Sequence, residues 1–313
     1  MHEKITTFER AFEEVERQSQ NCFDELVPVE SISFDSLDTM RIGLERHNLE
    51  ENASRQICNR LGIPYPYMAR CNEGLASLNL NTWIKREKNN ELFVRFKGNS
   101  VRAMFTPRYS PVDNLTVMEQ LAILGVEPDT KVQSTLDDNF FSLSITDPQR
   151  AFNINGKDRH FPGVSISNSE TGRASLSISG FIMRLVCLNG LIARQKVKAH
   201  SYRHISDKVI ELLPDALANA SRDIEQQQRQ FQFSLQSEVE DPLATIDSFN
   251  KQFQISEAGK DATTWAWPQE AGDTLFHVIN TYTRAAQYQE LMAEESYRLQ
   301  QTGGEILNMV DAA

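Results

Sequence analysis

The stretch Gly163–Ile192, GVSISNSETGRASLSISGFIMRLVCLNGLI, decides the fold class. Val164 and Ile166 alternate with Ser165 and Ser167, and Leu176 and Ile178 alternate with Ser177 and Ser179. A period of two is that of a β-strand. Between the two runs, Ser169-Glu170-Thr171-Gly172 reads as a turn, with Gly172 suited to the left-handed conformation. The chain then becomes apolar from Phe181 to Leu188, with Arg184 its only charge, and Asn189-Gly190 signals another turn. Working outward, the same texture predicts strands at Val132–Leu136, Phe140–Thr146, Ala151–Ile154, Pro162–Asn168, Ala174–Ser179 and Leu185–Leu188. Glu91–Phe96 and Val101–Phe105 flank Gly98-Asn99 as a hairpin. Helical patterns cover Phe8–Arg17, Leu37–Leu44 behind a Ser36 cap, Leu49–Leu61 up to Gly62, and Leu115–Leu124. Another covers Tyr67–Leu78 and continues through Asn81–Lys88, with Leu75, Leu78 and Trp83 expected to face the core. Beyond Ile205 helices are expected at Ser206–Leu213, Asp215–Leu235, Asp241–Phe253 and Thr274–Gln300. Lys251–Thr264 reads as loose, Trp265–Pro268 as a linker, and residues 301–313 as frayed. The expectation is an α+β fold. A mostly antiparallel twisted sheet over residues 91–204 is flanked by N-terminal helices and a helical C-terminal region. The divisions are an arm (1–35), an α+β core domain (36–205) and the helical region (206–313).

The chain has 313 residues, 40% of them hydrophobic, enough for a sizeable core. No run approaches the length of a membrane-spanning helix, and the charged N-terminal segment is unlike a secretory signal. Cys22, Cys58, Cys71 and Cys187 have neither disulfide-framework nor metal-site spacing, so reduced thiols and a cytoplasmic setting are expected. The net charge of −11 opposes polyanion binding, but its distribution does not. Residues 81–110 hold seven Lys/Arg against two Asp/Glu, and residues 150–210 hold ten against three. These two basic islands lie in acidic surroundings, and local basic faces are what attract phosphate.

Four pieces carry a family resemblance. Arg102–Asn114 (RAMFTPRYSPVDN) resembles a strand followed by an R-Y-x-P-V-x-N loop. Val164–Ser169 (VSISNS) resembles a strand ending in Asn-Ser, and Phe181–Ile192 (FIMRLVCLNGLI) an F-x-x-R-x-V-C-x-N-G-L segment. The helical C-terminal part matches more loosely. Together they resemble the prokaryotic "domain of unknown function 932" family of phages, plasmids and prophages. Many members carry His-Asp-Gly-Ser after the Asn-Ser, where this chain has Glu170-Thr171-Gly172-Arg173. The resemblance implies a mobile-element setting, with DNA replication, recombination and host defence as its usual business.

The sequence lacks a Walker-type phosphate loop, a dinucleotide-binding glycine motif and a nucleophile elbow. Asp137, Asp138 and Asp147 could serve a metal-dependent nuclease, although turns commonly carry Asp for local reasons. Cys187, with His160, His200 and His204 as bases by sequence alone, reads as a small buried thiol. His200 and His204 lack the helical context of a metal pair, and Asn168 and Asn189 read as turn residues. Arg184 reads either as an internal ion pair, for instance with Glu170, or as a phosphate fork. No catalytic residue, cofactor or metal is therefore expected. The first island offers Arg95, Lys97, Arg102 and Arg108, with Tyr109 among them, and the second offers Arg173, Arg194, Lys196, Lys198 and Arg203. Cations that track a backbone beside aromatic faces suit single-stranded nucleic acid. The expected function is non-enzymatic nucleic-acid binding, with single-stranded DNA favoured, by a homo-oligomer that aligns strands in recombination. The rival expectation is a counter-defence inhibitor that binds a host or phage protein through its acidic helical surface.

Overall fold

The computed structural model describes residues 4–154, 158–184, 189–192, 200–202, 211, 214–215 and 224–310. The chain opens with β1 (Lys4–Thr7) and α1 (Phe8–Ser19), whose first turn is capped by the Thr7 hydroxyl. Then come β2 (Cys22–Pro28), β3 (Ile32–Phe34), β4 (Thr39–Ile42), β5 (Glu45–Leu49), α2 (Glu51–Arg60), α3 (Tyr65–Met68) and α4 (Glu73–Trp83). The hairpin β6 (Glu91–Lys97) and β7 (Ser100–Phe105) precedes α5 (Asn114–Ile123). Next are β8 (Lys131–Leu136), β9 (Phe141–Thr146), β10 (Phe152–Ile154), β11 (Asp158–Asn168), β12 (Leu176–Arg184), β13 (Asn189–Ile192) and β14 (His200–Tyr202). The described C-terminal helices are α6 (Ile224–Ser234), α7 (Pro242–Gln252), α8 (Glu257–Glu270), α9 (Leu275–Ala285) and α10 (Ala293–Asn308).

The fold is α+β, built on two sheets rather than the one expected. The large sheet runs β1-β8-β9-β11-β12-β13, with β10 on β11 and β14 on β12, all antiparallel. The small sheet runs β2-β6-β7-β5-β4-β3 and holds one parallel pair, β5 with β7. The β6–β7 hairpin therefore belongs with residues 22–49 and not with the later strands. Within the arm expected over 1–35, the described residues from Lys4 onward are built into the fold. β1 pairs with β8, β2 pairs with β6, and Phe8, Ala11 and Val15 of α1 enter the large-sheet core with Val117, Met118 and Leu121 of α5.

The serine-bearing face of the large sheet is also buried. Ser144, Ser165 and Ser179 lie in register across β9, β11 and β12, at 4%, 0% and 6% exposure. The Ser144 and Ser165 hydroxyls bond to each other at 3.0 Å. Alternation marked the strands but not which face meets water. The small sheet packs on α2, α3 and α4 through Ile57, Cys58, Met68, Ala76 and Leu80. Burial raises the Cys58 thiol to about 11 from an ordinary 9.0. The unfolded thiol ionises first, so Cys58 contributes stability that is complete below pH 9 and is lost as pH rises toward 11. About 2–3 kcal/mol is at stake. Thermal melts across this window should fall less steeply for Cys58→Ala than for wild type, and parallel slopes would contradict the assignment.

In the C-terminal region, Ser256 caps α8, which takes in Glu257–Thr264 of the stretch expected to be loose and also Trp265–Pro268. Pro268 is accommodated in the last turn. The expected long helix breaks into α9 and α10; α10 continues through Asn308 where fraying was expected, and Ile306, Leu307 and Val310 enter the core. Among the described residues, no helix is long and apolar enough to cross a membrane. The expected strand Leu185–Leu188 and helix Ser206–Leu213 fall outside the described residues, apart from Glu211.

Candidate functional site

The β11–β12 turn is driven into the small sheet. Gly172 takes φ +82°, which tightens the turn. The Thr171 carbonyl accepts from Gln56 Nε2 at 2.7 Å and Asn52 Nδ2 at 3.0 Å, both on α2. The Ser169 and Thr171 hydroxyls bond to Asn139, at 2.6 Å to its carbonyl and 3.0 Å to its Oδ1. A Cβ on Gly172 would stand 2.6 Å from the Phe105 ring. Gly172→Ala should therefore cost about 1–3 kcal/mol. Gly43→Ala has a similar φ of +60° but open space around it, and should cost less. Denaturant titration of both variants isolates the Phe105 contact, and equal losses would rule it out.

Glu170 is carried by this turn into a buried charge junction. Its Oε2 meets Arg102 Nη1 at 3.0 Å, and its Oε1 accepts the Asn114 backbone N–H at 2.8 Å. Its carbonyl accepts from Arg95 Nη1 at 3.2 Å and from the Tyr109 hydroxyl at 3.4 Å. Arg95 also pairs with Asp24 at 2.9 Å and with Asp113. A β-bulge aims these groups. Arg95 opposes Ala103 and Phe96 opposes Val101, so Arg102 is the extra residue. Val101 and Met104 consequently both enter the small-sheet core, and Arg102 turns toward Glu170. Burial pushes the Asp24 carboxyl above its usual range despite Arg95. Burial opposes the Arg95 charge, but Asp113 and Asp24 outweigh it and hold the guanidinium protonated. Burial likewise raises the Tyr109 phenol, whose ring stacks on Phe105 at 3.8 Å. Asn168 donates to Asn114 Oδ1 at 2.9 Å and to the Val112 carbonyl at 2.8 Å. The loop Arg108–Asn114 and the Asn168–Gly172 turn thus meet in one solvent-poor junction. With its carboxylates tied to guanidinium or backbone N–H, it joins the sheets and offers no free base.

This placement corrects the expected binding face. Arg95 and Arg102 are 4% and 3% exposed, saturated by the protein's own groups, and cannot meet a ligand there. Tyr109 is committed to the same interior. Lys97 lies partly exposed 3.9 Å from Asp138, Arg108 is exposed, and Arg173 reaches Glu294 at 3.4 Å. Arg184 closes β12 opposite His160 and Asn189. Arg194, Lys196, Lys198 and Arg203 lie outside the described residues, as does Cys187.

An exposed cation–aromatic surface lies instead at the end of α4. Leu75, Leu78 and Trp83 are 42%, 64% and 38% exposed, while Ala76, Leu80 and Ile84 face inward. The helix has apolar residues on both sides, so periodicity could not choose its core face. After Trp83 the chain makes a 3₁₀ turn, Ile84–Arg86, anchored by buried Ile84. The Arg86 guanidinium sits 4.4 Å over the Trp83 ring. Burial tends to raise the Glu87 carboxyl, but bonds from Asn89 at 3.0 and 2.7 Å and Arg60 at 3.6 Å hold it lowered. That carboxylate fixes the loop. Arg60, Leu61, Trp83, Arg86, Glu87, Lys88 and Asn89 line an open pocket of about 440 Å³, and Lys85 is exposed on the same 3₁₀ turn. Lys85, Arg86 and Lys88 belong to the first basic island, but the strand reading passed over them.

Neither the curated proteins nor the solved structures offer a match to this chain. Residues 102–301 match the family described as "Domain of unknown function (DUF932)", a span that begins in β7 and leaves the Trp83 surface outside it. That span is well over half of the chain and takes in both segments of the buried junction, so the protein belongs to the DUF932 family.

Proposed function

We propose that this protein binds nucleic acid without catalysis, single-stranded DNA being the favoured ligand, through the surface at the end of α4. The carrying observation is Trp83, exposed and stacked by Arg86, with Lys85 and Lys88 beside it. A base can stack on the indole–guanidinium pair while the lysines meet backbone phosphate, a sequence-tolerant mode. A cytoplasmic homo-oligomer would set several such surfaces along one strand, as annealing in the recombination of a phage or other mobile element requires. Fluorescence anisotropy with a labelled oligothymidylate tests the reading. With about three phosphate contacts on a single strand, raising salt fourfold should weaken binding roughly 20-fold. Absent or salt-insensitive binding would count against it.

A further inference from the structure

A second surface has the opposite character. Phe8 and Phe12 of α1 pack edge-to-face at 6.1 Å, and with Val126 they floor an open groove of about 470 Å³ between α1 and the loop after α5. The walls are fixed: the Phe8 and Glu9 N–H groups donate to the Thr130 and Pro128 carbonyls at 2.9 and 3.0 Å. The rim carries Glu9, Glu13 and Glu127, and among the described residues no Lys or Arg lines the groove. Among the described residues, none of these three carboxylates has an ion-pair partner. Glu9 and Glu13 stand one turn apart, a like-charge pair that costs a helix a few tenths of a kcal/mol. Ile5 and Ile123, on the elements that border the groove, are 51% and 74% exposed. An apolar floor under an uncompensated acidic rim calls for a complementary ligand, apolar on one side and cationic on its edges.

We infer that this groove docks a basic amphipathic helix of a partner protein. Its apolar side chains, at i, i+3 and i+4, would lie over Phe12 and Val126, and flanking Lys or Arg would meet Glu9, Glu13 and Glu127. The inference is independent of nucleic-acid binding, since it uses a different surface of opposite charge.

The test is anisotropy of a labelled 16-residue Leu/Lys amphipathic peptide against the full chain, beside a scrambled peptide of the same composition. The ordered peptide should bind at least about tenfold more tightly, because only it presents an apolar stripe. Glu13→Gln/Glu127→Gln, which leaves the core intact, and Phe12→Asp should each lower its affinity about tenfold or more. Equal binding of the two peptides, or unchanged affinity in the Gln variant, would overturn the inference. So would sedimentation showing a dimer that Phe12→Asp dissociates, because a second copy would then own the groove.

Discussion

Glu170→Ala should lower the stability of the fold by about 3–5 kcal/mol, the cost of breaking a buried ion pair from one side. The loss has two sources. Arg102, at 3% exposure, would keep hydrogen bonds only to the Asp138 carbonyl at 3.2 Å and the Cys22 sulfur at 3.5 Å, with the Glu50 carboxylate left as a charge that it feels without a direct bond. The Asn114 backbone N–H would also lose its acceptor. Glu170→Gln keeps a carbonyl oxygen for that N–H and should fall between Ala and wild type. Arg102→Ala combined with Glu170→Ala should cost less than the sum of the single changes, by about 1–3 kcal/mol, because the double variant strands no charge. Urea midpoints of the four proteins measure this. A Glu170→Ala loss below about 1 kcal/mol would mean that the pair behaves as a surface salt bridge and that the junction does not hold the sheets together.

Trp83→Ala should weaken oligothymidylate binding by about 1–3 kcal/mol, or roughly 5- to 150-fold, at low salt. Its cost in stability should stay below that of a fully buried Trp, because the indole is 38% exposed. Arg86→Ala removes both a phosphate partner and the cation above the ring, so affinity and salt slope should fall together, the slope by about 0.7. Trp83→Phe, which keeps an aromatic face, should restore much of the affinity. A Trp83→Ala protein that binds as wild type does would exclude stacking at this position.

Local signals placed much of the fold. Gly62 ends α2, Gly98 turns β6 into β7 with φ +56°, and serine alternation marks β11 and β12. Residues 37–44 fit a helix as well as strands because Met40 and Ile42 suit either period, and only the turn at Gly43, φ +60°, decides for β4–β5. Cys22–Pro28 carries Asp24 and Glu25 and shows no apolar alternation, so tertiary pairing with β6 makes it a strand. The junction was half legible. The turn at Gly172 and Glu170 as a carboxylate for an internal ion pair can be read locally, but the sequence offers Arg184 as its partner or, equally, as a phosphate fork. The actual partner, Arg102, lies 68 residues away and is aimed by a bulge that hydrophobic periodicity cannot reveal. Basic residues on strands therefore looked like a binding face when two of them were interior counter-ions. The Trp83 surface is hidden from the sequence because Leu75, Leu78 and Trp83 share a spacing that reads as a core face, while the residues that face inward are Ala76 and Leu80.

The central claim is that the strand arginines are structural and that the end of α4 meets the ligand. Its most direct measurement is one oligothymidylate titration at low salt with two folded double variants, Trp83→Ala/Lys88→Glu and Lys97→Glu/Arg108→Glu. The account predicts a loss of about 30-fold or more for the first pair and about threefold or less for the second. The reverse order would return the binding face to the strands and contradict it.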